Sequence, residues 1–434
     1  MLFKNITVVD ANFDVKNNIY LGTEGKYITY IGGKEPQNAE KFGKVYDGAG
    51  KVIIPAFYNA HSHASMNLMR GYAENLSLMN WLFDKIFPFE ACLTDNDIYY
   101  STLLSVAEML RYGIVGTTDM YMKWQALGRA FLDGGVKANF SVGCTCPEDK
   151  SFYDIKDYQD TLQMISEFDG AGDGRLIPEF SLHAEYTSTE RIATELAAEA
   201  KKAGSRIHVH VSETKSEVEE CKKRHGGKSP VRYLADCGIF DVPATAAHCV
   251  WIDDDDMEIL KEKKVSVATC PKSNLKLASG ICPTARLIKK GVNVAIGTDS
   301  VASNNNLNMI EEMRFFNLLQ KGINNDPCLI TPKETLYAAT RAGALSQGRE
   351  DTGLLKEGFK ADLTVISTEK IYMKPTHDIL NNIIYSSDGA DVIMTVCDGE
   401  VLYENGEYKK LDIEKITAEA EKTRIRILGE LEDK

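Results

Sequence analysis

The chain has 434 residues, more than a single hydrophobic core usually serves, so one large domain with a smaller companion is expected. It is 44% hydrophobic and 26% charged, as globular enzymes are, and its net charge of −13 argues against a basic nucleic-acid surface. No apolar run approaches the roughly 20 residues that span a bilayer, the stretch "MLFKNITVVDANF" lacks the apolar region of a secretion signal, and the ten scattered cysteines form no CxxC pair, so a cytoplasmic protein with reduced core thiols and no membrane partner is expected.

The first fifty residues read as short strands, "ITVVDA", "YITYIGG" and "KVYDG", separated by glycines and charged turns. Eight strand candidates follow: "VIIPAF" from Val52, "VGTTDM" from Val115, "KANFSV" from Lys137, "LIPEFSLH" from Leu176, "RIHVHVS" from Arg206, "ATAAHCV" from Ala244, "VSVATC" from Val265 and "NVAIGTD" from Asn293. Helical patterns such as "NDIYYSTLLSVAEMLRYG" and "STERIATELAAEAKKAG" lie between most of them. Eight such alternations fit an α/β fold of the (β/α)8 barrel type; an open doubly wound sheet would bring a glycine-rich phosphate turn after its first strand, and none is present. Strand-like texture returns in "KADLTVIS", "VIMTVCDGEVLY" and "GEYKK", and the tail from about Lys415 reads as a charged surface helix.

Only eight histidines are present, and their positions are patterned. Residues two apart in a strand share a face, so His61 and His63 project together from the carboxyl end of the first barrel strand, the end at which barrel active sites form. "RIHVHVSET" alternates strictly, putting His208 and His210 on one face, with Glu213 three residues on. His183, His248 and Asp299 end the fourth, sixth and eighth strands. Three imidazoles and a carboxylate with room for water make a catalytic divalent-metal site, zinc first and iron as the alternative. His208 faces inward but lies deeper, so its role stays open. The run Asp253 to Asp256 reads as helix capping, His225 as a solvated residue of a basic turn, and His377 as structural.

The segments "IPAFYNAHSHASMNLMRG", "LSLMNWLFDKIFPFEACLT", "HVHVSET", "AAHCV", "CPKSNLKLASG" and "GTDSVASNNNLNMIEEMR" resemble the amidohydrolase superfamily, and within it the branch of 5-methylthioadenosine/S-adenosylhomocysteine deaminases and related chlorohydrolases. The resemblance runs along nearly the whole chain. It implies a barrel over residues 55–354 and a small composite β-sandwich from residues 1–54 and 355–434, the latter with the terminal helix. It also implies one divalent metal held by His61, His63, His210 and Asp299, selecting His210 over His208. Glu213, His248 and Asp299 are implied as catalytic residues; Glu90 and His183, with Glu213 and Asp299, as substrate-binding ones, Glu90 meeting a ribose diol.

The expected activity is hydrolytic deamination of an adenine nucleoside such as 5′-methylthioadenosine, 5′-deoxyadenosine, adenosine or S-adenosylhomocysteine. Competing readings are deamination or dechlorination of another heteroaromatic ring (guanine, pterin, triazine) and, from another class, a metal-free assembly protein. A small-molecule substrate and a homo-oligomer, dimer or tetramer, are expected. Relatives that take S-adenosylhomocysteine carry arginines in and after the third strand. Here "GGVKANFSVGCTCPEDKSFYD" offers only Lys137 and Lys150, so an uncharged 5′ group is expected to be preferred.

Overall fold

Strand pairing separates the two ends of the chain from its middle in this computed structural model, which describes residues 1–432. The N-terminal flank supplies β1 (Leu2–Val9), β2 (Val15–Glu24), β3 (Tyr27–Gly32), β4 (Val45–Asp47) and β5 (Lys51–Pro55). Then β6 (Phe57–Ser62), β7 (Ile114–Met120), β8 (Lys137–Ser141) and β9 (Leu176–Pro178) pair in parallel. A second parallel run holds β10 (Phe180–Ala184), β11 (Ile207–Val211), β12 (Ala244–His248), β13 (Ser266–Thr269) and β14 (Val294–Ile296). The chain changes partner at Glu179, whose N–H reaches Phe140 O at 2.9 Å while that of Phe180 reaches Arg206 O at 3.1 Å. Past β14, Asp299 N–H donates to His61 O at 3.0 Å. The two runs thus close into a (β/α)8 barrel, with β9 and β10 as halves of its fourth strand.

The C-terminal flank adds β15 (Leu363–Ser367), β16 (Val392–Cys397), β17 (Glu400–Glu404) and β18 (Glu407–Tyr408). These join the N-terminal strands in one nine-stranded sheet, ordered β18-β17-β16-β15-β5-β1-β2-β3 with β4 beside β1. Ile28 of β3 and Val396 of β16 share one buried cluster with Phe3, Ile53 and Val365, so the sheet folds over on a core of its own.

Three strand expectations need correcting. The apolar run from Val52 is two strands: β5 pairs with β1 and β15 in the flanking sheet, and the barrel begins only at Phe57, after the Ala56 N–H has bonded Asp362 O at 3.0 Å. "LIPEFSLH" is broken at Glu179, next to a proline that has no N–H to give a ladder. The ten residues of β2 were missed, because "VKNNIYLGTE" is polar over its first half and lacks a clean alternation.

Other features follow local chemistry. Asp253 and Asp256 form a capping box on the helix Asp254–Glu262, as expected of that acidic run. The terminal helix Ile413–Glu432 lies against the helix Asp95–Arg111: Thr423 Oγ1 and Arg426 Nη2 both bond Asp97, at 2.6 and 2.5 Å. Nine cysteines are buried and Cys328 is exposed. His225 is half-buried rather than simply solvated: it bonds Glu185 at 2.7 Å and its ring lies against Tyr233. His377 is exposed rather than built into the fold. No helix among the described residues is long and apolar enough to cross a membrane.

Candidate functional site

The carboxyl ends of the barrel strands carry an unusual concentration of left-handed backbone. Ser212, His248, Cys249 and Asp299 all have φ between 48° and 72° without being glycine. Such residues cost roughly 1–3 kcal/mol each and persist where the surroundings over-determine them, typically around functional sites. Here they turn the chain sharply as it leaves β11, β12 and β14, aiming side chains across the mouth.

Three histidines point one nitrogen each at a common centre. His63 Nδ1 donates to Met120 O at 2.6 Å and His210 Nδ1 to His183 O at 2.7 Å, so both turn Nε2 inward, 3.4 Å apart. His61 Nδ1 is engaged by His208, and its own Nε2 is buried without a partner among the described residues. Asp299 Oδ1 lies 3.6 Å from His61 Nε2 and 3.4 Å from His63 Nε2. Burial, then the neighbouring imidazoles, hold His61 and His210 well below the usual histidine range. Burial would push the Asp299 carboxyl up, but His63, His248, Ser273 and the Ser300 N–H together hold it below the usual range. Neutral imidazoles and an ionised carboxylate are the ligand forms a divalent cation needs, and the orphaned Nε2 of His61 has no other use in this setting. The donor set fits such a cation. His208 does not face the centre: its Nε2 is spent on His61, and its Nδ1 is buried without a partner among the described residues.

Glu213 and His248 adjoin this centre. His248 Nε2 is 3.8 Å from Glu213 Oε2. Burial raises the Glu213 carboxyl above its ordinary value. The segment "SNLKLASG", quoted above without roles, supplies partners to all three acid–base groups. Ser273 Oγ donates to Asp299 at 2.6 Å, Asn274 Nδ2 to His248 Nδ1 at 3.1 Å, and Ser279 Oγ to Glu213 Oε1 at 3.2 Å. Sequence reasoning missed these, and also Glu217, which accepts the N–H groups of Ser212, Glu213 and Thr214. The Thr-x-x-Glu spacing of a capping box was the available signal for Glu217.

The centre lies in a cavity of about 660 Å3, within the range of small-molecule sites. His63, His183, His210, Glu213, His248 and Asp299 line it, together with Trp81, Phe87, Glu90 and Tyr121. Burial raises the Glu90 carboxyl, which accepts the Tyr121 hydroxyl at 2.7 Å. Tyr121 was another residue not singled out from sequence. His183 stands beside His210, ring centres 4.9 Å apart, its Nδ1 3.3 Å from Thr187 Oγ1, and burial lowers it to about 4.

The charges near the outer cavity are not those expected. Lys137 is sealed at the opposite end of β8, held by Asp362 and Asp398 at 2.6 Å each, and Lys150 is exposed and paired with Glu148. The cations that line the cavity are instead Lys123 and Lys156, bonded to Asp95 at 2.9 Å and Asp160 at 2.8 Å, with Asp157 beside them.

Comparison with known proteins agrees with this geometry. The amidohydrolase family description matches residues 52–402. A protein of Pelotomaculum thermopropionicum named 5-methylthioadenosine/S-adenosylhomocysteine deaminase is 40% identical over 89% of this chain and 88% of its own. One of Methanosarcina acetivorans named 5′-deoxyadenosine deaminase is 39% identical over 94% and 93%. The zinc-bound crystal structure of an adenosine deaminase from Xanthomonas campestris superposes with a TM-score of 0.91 at 28% identity, covering 99% of this chain and 98% of that one. Atrazine chlorohydrolase of Arthrobacter aurescens shares the fold, with a TM-score of 0.90 at 20% identity over 98% and 99%. With its histidines gathered at the barrel mouth and the family pattern running from Val52 to Leu402, this chain belongs to the amidohydrolase family.

Proposed function

We propose that the protein is a divalent-metal-dependent hydrolytic deaminase of adenine nucleosides, releasing ammonia and the inosine-type product. Its main support is the gathering of His61, His63, His210 and Asp299 beside Glu213 and His248, at a cavity that Glu90 and Tyr121 also line. The names of the relatives from Pelotomaculum thermopropionicum and Methanosarcina acetivorans support the nucleoside class.

In this reading His61, His63, His210 and Asp299 hold the cation, zinc by analogy with the Xanthomonas structure. When bound, a divalent cation lowers the pKa of water and so makes hydroxide available near neutral pH. Glu213, its carboxyl raised by burial, carries a proton to the ring nitrogen beside the carbon under attack, so the ring need not hold a full negative charge. Ser279 fixes one Glu213 oxygen and leaves the other toward His248. His248 takes the Asn274 amide hydrogen at Nδ1, which leaves Nε2–H free to orient the attacking oxygen. Asp299, ionised and steadied by Ser273 and Ser300, accepts the nucleophile's proton and returns it to the departing amine. Glu90, oriented by Tyr121, accepts the ribose hydroxyls, and His183 borders the bound nucleoside. A homo-oligomer, a cytoplasmic location and a barrel flanked by a small domain from both chain ends complete the proposal.

The test is ammonia release from a panel of adenosine, 5′-methylthioadenosine, 5′-deoxyadenosine, guanine, a pterin and a triazine. Turnover of the adenine nucleosides above the other rings is expected; preferential turnover of guanine, pterin or triazine would overturn the substrate class.

A further inference from the structure

We infer that His208 is the positioning residue for His61, holding that ring's hydrogen on Nδ1 so that Nε2 offers its lone pair to the cation. This rests on the metal-dependent reading above and goes beyond it, because His208 belongs to neither the ligand set nor the acid–base set.

The geometry is asymmetric among the three ligand histidines. His63 and His210 are oriented by backbone carbonyls, Met120 O at 2.6 Å and His183 O at 2.7 Å. A carbonyl only accepts, so each ring must carry its hydrogen on Nδ1 and present a lone pair at Nε2. His61 has no carbonyl. Its Nδ1 meets His208 Nε2 at 2.8 Å, the two rings edge to edge with centres 5.0 Å apart and planes 13° from parallel. An imidazole can donate or accept, so this contact has two settings. With the hydrogen on His61 Nδ1, His208 Nε2 accepts it and His61 Nε2 offers a lone pair to the centre. With the hydrogen on His208 Nε2, His61 accepts at Nδ1 and carries its own hydrogen on Nε2, where it blocks a cation.

Cation binding selects the first setting. His61 Nε2 and His208 Nδ1 are both buried and make no hydrogen bond among the described residues. In the first setting a cation engages His61 Nε2, and only the His208 Nδ1–H stays unmatched. In the second, the His61 Nε2–H would occupy the space between the Nε2 lone pairs of His63 and His210 that a cation must fill. His208 lies fully buried on the same face of β11 as His210, so its ring cannot turn away to solvent. Cation binding and the hydrogen-bond direction of this pair are therefore coupled, and His208 acts on the cation only through His61.

The experiment measures affinity for Zn2+ by chelator competition and records the visible spectrum with Co2+, on the full chain and on His208→Phe, His208→Leu and His208→Gln. Phenylalanine keeps a flat ring without an acceptor; glutamine restores an acceptor without the ring. Loss of an orienting partner typically weakens metal binding about 10–100-fold, so that loss is expected for His208→Phe, with a changed Co2+ spectrum in a protein that still folds, and glutamine should recover much of the affinity. If His208→Phe does not fold, His208→Leu makes the same comparison. Native affinity and a native Co2+ spectrum in the phenylalanine or leucine protein would overturn the inference, as would a glutamine protein no better than phenylalanine. Failure of the unsubstituted protein to bind either ion at one per chain would instead sink the metal-dependent reading itself, so the two failures are distinguishable.

Discussion

Glu217 braces the backbone of Glu213 from below. Its Oε2 accepts the Glu213 N–H at 2.7 Å and its Oε1 the Ser212 N–H at 2.8 Å, across the left-handed turn that ends β11. The Ser212 carbonyl is bonded in turn by Val250 and Trp251, next to His248. One buried carboxylate thus fixes the loop on which the proposed proton donor rides. Glu217→Gln replaces one acceptor oxygen with a donor facing backbone N–H groups. Leaving a buried donor unmatched costs about 1–3 kcal/mol, so a lower Tm and a reduced kcat are expected. Unchanged Tm and kcat would show that the loop holds its shape without this brace.

His61, His63, His210 and Asp299 should retain about one divalent ion per chain. Elemental analysis of the purified protein and of a His61→Ala, His63→Ala double variant checks this. Native-like metal retention in the double variant would reject the ligand set.

Glu213→Gln should fold and hold metal but lose turnover by about 10²–10⁴-fold, because an amide cannot deliver the proton. The native enzyme should also lose kcat as pH rises through the Glu213 pKa, which burial raises, since the acid must be protonated to work. Near-native kcat in the variant would assign the proton to another group.

Glu90 and Tyr121 should discriminate ribose from deoxyribose. A pocket built to bond a hydroxyl is left with an unmatched acceptor when that hydroxyl is missing. The kcat/KM for 2′-deoxyadenosine should fall below that for adenosine, and Glu90→Ala should erase the difference. Equal values for both nucleosides in the native protein would remove Glu90 from sugar binding.

The outer cavity should disfavour a carboxylate. Lys123 and Lys156 are already paired with Asp95 and Asp160, and Asp157 adds a further negative group. Neither lysine offers the two-pronged fork that fixes a carboxylate. We expect a higher kcat/KM for 5′-methylthioadenosine than for S-adenosylhomocysteine. A salt-sensitive preference for S-adenosylhomocysteine would show that these lysines exchange their partners for the substrate.

Spacing along the chain was enough to assemble much of this site. The period of two in "HSH" and "HVH" puts side chains on one face whatever the rest of the molecule does, and a barrel brings every strand end to one mouth. The gathering of His61, His63, His210 and Asp299 at one mouth was therefore expected before any fold was seen, although only the family resemblance chose His210 over His208, and the capping role of Asp253 and Asp256 was legible too. Contacts between segments far apart in sequence were not. The break at Ala56 depends on β5 finding β15 some 310 residues away, since Val52 pairs with Ile366, and nothing in "KVIIPAF" signals two sheets. Likewise Tyr121 on Glu90, Ser273 on Asp299 and His208 on His61 arise from barrel closure and register, which set which residues of neighbouring strands and loops stand opposite. Local covalent geometry decided which side chains share a face; only tertiary packing decided what each meets there, because hydrogen-bond partners are chosen in space and not along the chain.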